Sequence, residues 1–349
     1  MARMHHGGTR LTAGTALVTA LVLGTASSVS APAWGISAPA APGGSPAHVL
    51  TAGSTASAWL ATLRAPAHTA APTSTLTAAP ASVFTAAPAG DRRASAPSVP
   101  GRAAYLYDAG TGTVHLSKQA GKRMPVASLT KVMTAYVVLR EARLADTVTV
   151  RAEDVRHAAA NGATHASLRA GERLTVRDLL YAVMLPSGAD ASHALARVYG
   201  PGTTRFVAKM NATARSMGLA DTRYATPDGL PKPGPGYSTA LDQAKFADLA
   251  LRDPVLRIIA STRRHLVAKS KVHRAHVWTN SNKLLGKAPG VMGLKTGYTG
   301  AAGYCLAFAA DREGHRLVGV LLGESNADRR FQTAARLLDW AGEQTPAVL

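Results

Sequence analysis

Residues 125–134 read Pro-Val-Ala-Ser-Leu-Thr-Lys-Val-Met-Thr and begin an apolar segment that predicts a helix from Ser128 to Arg140. Pro125 stands just before this helix, where its fixed backbone angle is tolerated. Ser128 and Lys131 are one helical turn apart, so their side chains would lie within reach of each other on one face. The free N–H groups at a helix start also favour a developing negative charge. The segment therefore predicts a serine nucleophile next to an amine base.

Two later segments supply groups that such a nucleophile would need. In Ser187-Gly188-Ala189, the glycine would permit a tight turn that aims the serine hydroxyl at a neighbour, where it could carry a proton. In Lys295-Thr296-Gly297, at the end of an apolar strand, the lysine and threonine could hold a substrate carboxylate, and the glycine would leave room for an extended peptide. Each segment alone could be a helix cap or a charged edge strand. Their occurrence together, in this order, favours acyl transfer through a serine ester.

The fold prediction comes from strand patterns at both ends of residues 101–349 and helix patterns between them. We expect the terminal strands to share one antiparallel sheet, with an all-helical subdomain inserted between them, which is an α/β (α+β) architecture. The predicted strands are Ala103–Asp108, Thr113–Lys118, Arg264–Ala268, Val291–Tyr298, Gly303–Ala310 and Arg316–Gly323. The further predicted helices are Leu179–Leu185, Ala191–Tyr199, Arg205–Met217, Thr239–Leu251 and Asn326–Ala341.

The first hundred residues differ in composition from the rest. Residues 1–33 combine Arg3 and Arg10, an apolar stretch and the small-residue site Ala31-Pro32-Ala33, which predicts a secretory signal peptide, with an uncleaved anchor as the alternative. Residues 34–100 are dominated by Ala, Pro, Ser, Thr and Gly and predict a disordered tether. The expected product is an extracellular protein on the cell-wall side of the membrane, with residues 101–349 as its catalytic domain.

Charge and cysteine content limit the possible partners. The chain has 39 Lys plus Arg against 20 Asp plus Glu, a net charge of +19. It has no run of five basic residues and only 5% aromatic residues, so we expect attraction to an anionic cell wall rather than nucleic-acid binding. The single cysteine, Cys305, lies in an apolar run and is expected to be a buried structural thiol.

The three segments correspond to the set S-x-x-K, S-D-N and K-T-G. The first and third match fully, and the second keeps the serine but has Gly188 and Ala189 in place of Asp and Asn. On these motifs the chain resembles the low-molecular-mass penicillin-binding serine D-alanyl-D-alanine carboxypeptidases. The resemblance covers roughly residues 101–342 and extends to Thr226–Leu230, Asn280–Leu285 and Gly293–Cys305. It implies a β-lactamase/transpeptidase-like fold and the removal of the terminal D-alanine from peptidoglycan stem peptides.

The resemblance also assigns roles. Lys131 would deprotonate Ser128, which attacks the carbonyl between the last two D-alanines, and Ser187 would pass a proton to the departing D-alanine. The substrate carboxylate would be held by Lys295, Thr296 and Gly297, and the oxyanion by the backbone N–H groups of Ser128 and Tyr298. It further implies acylation by β-lactams, a monomeric protein, and no metal or organic cofactor.

One departure from the family pattern leaves alternatives open. The family usually has Asn where this chain has Ala189, so a turnover-deficient penicillin-binding or wall-sensing protein is one alternative. A class A β-lactamase is another, but it needs a Glu between the second and third motifs, and residues 191–294 contain none. The β-lactamase alternative stays open through Asp228, an acid of that interval in the Pro- and Gly-rich loop Pro227–Gly236. A zinc peptidase is disfavoured because His273 and His276 lack an H-E-x-x-H context.

Overall fold

The computed structural model describes residues 95–231, 234 and 236–344. The predicted signal peptide, and the predicted tether as far as residue 94, lie outside the described residues. Residues 95–100 contain no helix or strand, and Val99 among them is buried against the core. Across the described ranges we find no helix with the length and apolar character that a bilayer span requires.

Nine strands and eight helices make up the described part of the chain. The strands are β1 (Ala103–Asp108), β2 (Val114–Lys118), β3 (Thr147–Thr149), β4 (Arg173–Thr175), β5 (Arg264–Val267), β6 (His276–Thr279), β7 (Val291–Thr299), β8 (Gly303–Arg312) and β9 (His315–Glu324). The helices are α1 (Thr130–Glu141), α2 (Ala152–Ala160), α3 (Val176–Met184), α4 (Ala189–Tyr199), α5 (Thr203–Ser216), α6 (Ala240–Leu251), α7 (Pro254–Ser261) and α8 (Arg329–Gln344).

The central sheet joins the two ends of the domain. It has five antiparallel strands in the order β2-β1-β9-β8-β7, with β1 hydrogen-bonded to both β2 and β9. Helices α1 to α7 lie in the chain between β2 and β7. The predicted antiparallel sheet flanked by helices is therefore confirmed, and β7 lies at its edge. The insertion is not all-helical as predicted, because it also contains the two-stranded sheets β3-β4 and β5-β6. The predicted strand Arg264–Ala268 is β5, which pairs with β6 and not with the central sheet.

Alternating residues of β8 show how the sheet is buried on both faces. Cys305, Ala307 and Ala309 belong to the larger core, which contains residues of the inserted helices. Leu306, Phe308 and Ala310 belong to a second core formed with helix α8. Because successive strand side chains point to opposite faces, one apolar strand contributes to both layers. This burial fixes the register of β7 and β8, and with it the position of the third motif.

Local signals predicted some element boundaries and missed others. Thr175 and Thr239 cap α3 and α6 by accepting hydrogen bonds from the backbone N–H groups of Asp178 and Asp242, as expected for N-cap residues. Helices α2 and α7 and strands β3, β4 and β6 were not predicted. All five are short, and α7 is preceded by Asp253-Pro254, a cap and first-turn proline that do mark a helix start.

Candidate active site

A 3-10 turn, Ala127–Leu129, carries Ser128 into helix α1. The predicted α-helix from Ser128 thus begins two residues later, at Thr130, and the turn before it is tighter. Ala127 has a φ of 50°, a conformation that few non-glycine residues adopt. The predicted contact is present: Lys131 Nζ lies 3.0 Å from Ser128 Oγ.

Lys131 is almost completely buried, with 2% of its surface exposed. Its Nζ donates a hydrogen bond of 2.8 Å to the backbone carbonyl oxygen of Asp228. Burial lowers the pKa of the Lys131 amine to about 8, against the opposing effect of the Asp228 and Asp190 carboxylates. A carbonyl oxygen can only accept, so one N–H of a neutral amine points to Asp228. The lone pair is then free to face the Ser128 hydroxyl, which is the arrangement that a general base needs.

Ser187 lies on the same cleft as Ser128, between helices α3 and α4. Its Oγ is buried and has no hydrogen-bond partner among the described residues, so the hydroxyl is available to a bound molecule. The conformational explanation differs from the predicted one. Ser187 itself has the left-handed backbone, with a φ of 67°, whereas a Cβ on Gly188 would lie 2.8 Å from the Ala182 carbonyl oxygen. The glycine therefore allows close packing rather than the turn itself.

The third motif lies on edge strand β7, beside the turn that carries Ser128. Lys295 is 1% exposed and its Nζ donates to the Thr296 carbonyl oxygen at 3.0 Å, so it is not a surface charge that guards the sheet edge. Burial, followed by the charges of Lys131 and Arg330, keeps the pKa of Lys295 well below its usual value. A Cβ on Gly297 would lie 3.1 Å from the Ser128 backbone nitrogen. Gly297 therefore lets β7 approach the nucleophile turn, whereas the sequence suggested space for a peptide.

These segments border one cleft of about 490 Å³. Its lining contains no Asp or Glu side chain among the described residues, and Arg330 contributes its cationic group. Tyr298 lies at the rim, 55% exposed, with its ring stacked on Tyr304 at 4.3 Å. The lining residues are Ser128, Lys131, Asn161, Gly162, Ala163, Thr164, Pro186, Ser187, Leu230, Pro231, Ser281, Thr296, Gly297, Tyr298, Thr299, Gly300 and Arg330.

Two residues of this site were missed in the sequence. Ser281 follows β6, and its Oγ lies 2.6 Å from Thr296 Oγ1. Arg330, in helix α8, donates to the Gly297 and Cys305 carbonyl oxygens at 3.0 and 3.1 Å and is 9% exposed. Only the family resemblance points to the segment around Ser281, and nothing local distinguishes Arg330 from other basic residues of α8.

Ala189 does not leave Lys131 without a partner. Its side chain is fully buried at the start of α4, and its backbone N–H donates to the Thr164 carbonyl oxygen at 2.9 Å. Lys131 Nζ donates its second hydrogen bond to the Asp228 carbonyl oxygen instead. The Asp228 carboxylate is fully buried and engaged with His157 at 2.6 Å, so it does not supply an acid to the cleft. The residue that a β-lactamase needs is thus not present on the described lining.

The remaining reactive side chains have structural partners. Cys305 is fully buried, and burial raises the pKa of its thiol to about 11, which confirms a structural thiol. His276 Nε2 lies 3.2 Å from Glu172 Oε1, and His273 Nδ1 lies 3.0 Å from the Arg274 carbonyl oxygen. Within the ranges that the structure covers, His, Cys, Asp and Glu do not form a group of three that could hold a metal ion.

Comparisons with known proteins agree with this geometry. A family model described as D-alanyl-D-alanine carboxypeptidase, peptidase S11, matches residues 91–326. The D-alanyl-D-alanine carboxypeptidase of Streptomyces sp. (strain K15) is 34% identical over 256 residues, covering 70% of this chain and 88% of that protein. DacB2 of Mycobacterium tuberculosis is 34% identical over 254 residues, covering 72% of this chain and 85% of DacB2.

A solved structure shows the same fold. The crystal structure of the Streptomyces K15 DD-transpeptidase aligns with a TM-score of 0.68 and 35% identity, over 72% of this chain and 100% of that one. Sequence and structure therefore agree over the same part of the chain, the part that holds the cleft. The chain belongs to the D-alanyl-D-alanine carboxypeptidase family of serine peptidases.

Proposed function

We propose that this enzyme removes the terminal D-alanine from peptidoglycan stem peptides through an acyl-enzyme on Ser128. The observation that carries the proposal is the 3.0 Å contact between Lys131 Nζ and Ser128 Oγ. The contact lies in a cleft whose described lining residues include no Asp or Glu. A buried amine with a lowered pKa can be neutral near physiological pH, and a neutral amine is a base. Family members that act as D-alanyl-D-alanine carboxypeptidases support the same substrate class.

In the acylation step, neutral Lys131 takes the proton of Ser128 Oγ as that oxygen bonds to the carbonyl carbon of the penultimate D-alanine. The peptide C–N bond then breaks, and the departing amine gains a proton through the Ser187 hydroxyl. The backbone N–H groups of Ser128 and Tyr298 are proposed to hold the oxyanion, and Lys295, Thr296 and Gly297 the carboxylate end of the substrate. Arg330 adds positive charge to the same end of the cleft.

Water then cleaves the ester, with Lys131 again available to accept a proton. The described residues that line the cleft include no acidic group that would activate this water, which favours slow hydrolysis of a penicilloyl ester over rapid β-lactamase turnover. β-Lactams are therefore proposed as acylating inhibitors. The contact between Lys131 and Ser128 supports acylation in either case, and steady release of D-alanine, rather than a single burst, would distinguish a working peptidase from a turnover-deficient wall-sensing protein.

Export is part of the proposal, and it is supported by the composition of residues 1–33 and by the nature of the substrate, which lies outside the cell membrane. The net charge of +19 supports attraction to an anionic cell wall. Comparing the N-terminus of the secreted protein with Met1 would test cleavage. An intact Met1 on protein extracted from membranes would contradict it.

Intact-mass analysis tests the acyl-enzyme. After incubation with benzylpenicillin, the protein should gain the mass of one penicilloyl group, and peptide mapping should place it on Ser128. Ser128→Ala should gain none, whereas Ser167→Ala, at a serine that does not line the cleft, should be labelled like the unaltered protein. The activity itself is tested by D-alanine release from diacetyl-Lys-D-Ala-D-Ala. Absence of both the adduct and the release would end the proposal.

The pKa of Lys131 predicts how acylation depends on pH. Because the base must be unprotonated, the second-order rate constant for acylation should rise with pH and level off above about 8. One unit below that value only about a tenth of the amine is neutral, so the rate at pH 7 should be roughly tenfold below the plateau. Stopped-flow acylation with nitrocefin between pH 6 and 9.5 measures this. A rate that falls over that range would contradict the assignment of Lys131 as base.

A further inference from the structure

The Asp228 residue faces the active site with its backbone and turns away from it with its side chain. Its carbonyl oxygen accepts the 2.8 Å hydrogen bond from Lys131 Nζ. Its carboxylate is fully buried, with Oδ1 accepting from the Leu230 backbone N–H at 3.1 Å and Oδ2 lying 2.6 Å from His157 Nε2. Whatever holds this carboxylate therefore also places the carbonyl group that orients the base.

His157 reaches Asp228 from helix α2, outside the catalytic cleft. Its ring is partly exposed and stacks on His193 of α4, with ring centroids 4.6 Å apart. His193 Nδ1 lies 2.6 Å from Asp154 Oδ1, and Asp154 is also bound by Arg197 at 2.8 Å. The Asp154 carboxylate is paired with Arg197 and His193, and the carboxylate in contact with His157 is that of Asp228.

We propose that His157 is a positioning residue for acylation: its Nε2–H holds the Asp228 carboxylate and thereby keeps the Asp228 carbonyl oxygen on the Lys131 amine. His157 does not line the cleft and touches no reacting atom, so it acts only through Asp228. The inference rests on the proposed serine acyl-enzyme and adds a residue to it that the sequence motifs do not include.

The loop around Asp228 shows why this anchor matters. Thr134 Oγ1 donates to the Pro227 carbonyl oxygen, and the Gly229 N–H donates to Thr226 Oγ1 at 3.0 Å, so several groups hold the backbone. Among the described residues, the hydrogen-bond partners of the carboxylate are the Leu230 N–H and His157. A buried carboxylate that loses one of two hydrogen bonds moves towards water or acts more strongly on Lys131, a cation whose charge already lowers the pKa of Asp228. Either change leaves less of the amine neutral and aligned with Ser128.

Gln and Asn at position 157 separate the hydrogen bond from the fold. The Gln amide nitrogen can reach the place of His Nε2, whereas the Asn side chain is one bond shorter and cannot. We expect H157N to slow acylation by nitrocefin by roughly 10- to 100-fold at pH 7, the size of effect that a small misplacement of a catalytic group produces. Its pH profile should shift to higher pH, because an unpaired Asp228 carboxylate favours protonated Lys131. H157Q should stay within about threefold of the unaltered protein.

His265 offers a matched control outside the cleft. It is about as exposed as His157, its Nε2 lies 2.9 Å from Asp178 Oδ1, and its ring stacks on Tyr181 at 3.8 Å. H265N removes the same kind of histidine–aspartate bond and should leave both the acylation rate and its pH profile unchanged. Thermal unfolding of each variant checks the fold. If H157N does not fold, H157F serves in its place, since it keeps the stacked ring and loses only the donor.

A double variant tests whether His157 acts through Asp228. In a D228A background position 228 has no side-chain acceptor for His157, so adding H157N should slow acylation by less than about threefold further. Full additivity would overturn the proposal, as would an H157N protein with the rate and pH profile of H265N, or H157Q as slow as H157N. Failure of the unaltered protein to be acylated at all would instead reject the proposed function.

Discussion

Replacing Lys131 with Met should slow the acylation of Ser128 by roughly a thousandfold or more, while the domain stays folded. The amine is the basic group in contact with the hydroxyl, at 3.0 Å, and the described cleft lining contains no carboxylate or histidine to take its place. Met has a similar length and no charge, so it can occupy the buried position without its desolvation cost. The main structural loss is the donor to the Asp228 carbonyl oxygen, worth about 1–3 kcal/mol.

The measurement is the rate of penicilloyl-enzyme formation by intact mass, with circular dichroism to check the fold. Lys122→Met is the matched control, because Lys122 is exposed and lies outside the cleft lining. It should be acylated at the rate of the unaltered protein. A folded Lys131→Met protein that is acylated normally would show that another group removes the Ser128 proton.

Replacing Gly229 with Ala should destabilise the domain by more than about 3 kcal/mol and nearly abolish acylation. Gly229 has a φ of 80°, and an added Cβ would lie 1.9 Å from the Ala127 carbonyl oxygen and 2.9 Å from Thr130 Oγ1. The obstacle is backbone, so a side chain cannot turn away to relieve it. Relief requires movement of the Ala127–Leu129 turn or of the Asp228 loop, and these two segments hold the nucleophile and the acceptor of its base.

Gly112 provides the control for this variant. It has a similar φ of 77°, in the turn between β1 and β2, but its added Cβ would meet no atom within 4 Å. Gly112→Ala should therefore lower the free energy of unfolding only by the cost of a non-glycine residue at positive φ, roughly 1–2 kcal/mol, and leave acylation unchanged. Urea denaturation measures the free energy of unfolding of both variants. Equal losses in the two variants would mean that backbone conformation, and not the contact with Ala127, explains Gly229.

Much of the architecture could be predicted because its causes are local. Thr175 and Thr239 each cap a helix by accepting from the backbone N–H three residues later, so four consecutive residues are enough to mark each helix start. The apolar pattern of Gly303–Ala310 in the same way marks a strand. The contact between Ser128 and Lys131 also depends only on their spacing along one turn. The short elements α2 and β6 were missed because tertiary contacts, rather than their own periodicity, hold such segments in place.

By itself, the sequence determined the strands of the central sheet, most of the helices, the three motifs and the pairing of the nucleophile with its base, since each depends on neighbours in the chain. Tertiary structure decided the lowered pKa values of Lys131 and Lys295. Their main cause is burial, and the residues that bury these amines are distant in sequence. Tertiary structure also decided the contributions of Ser281, Arg330 and His157, which reach the site or its supporting loop from three separate elements. Their roles follow from distances across the folded domain, and the positions of isolated polar residues along a chain do not encode such distances.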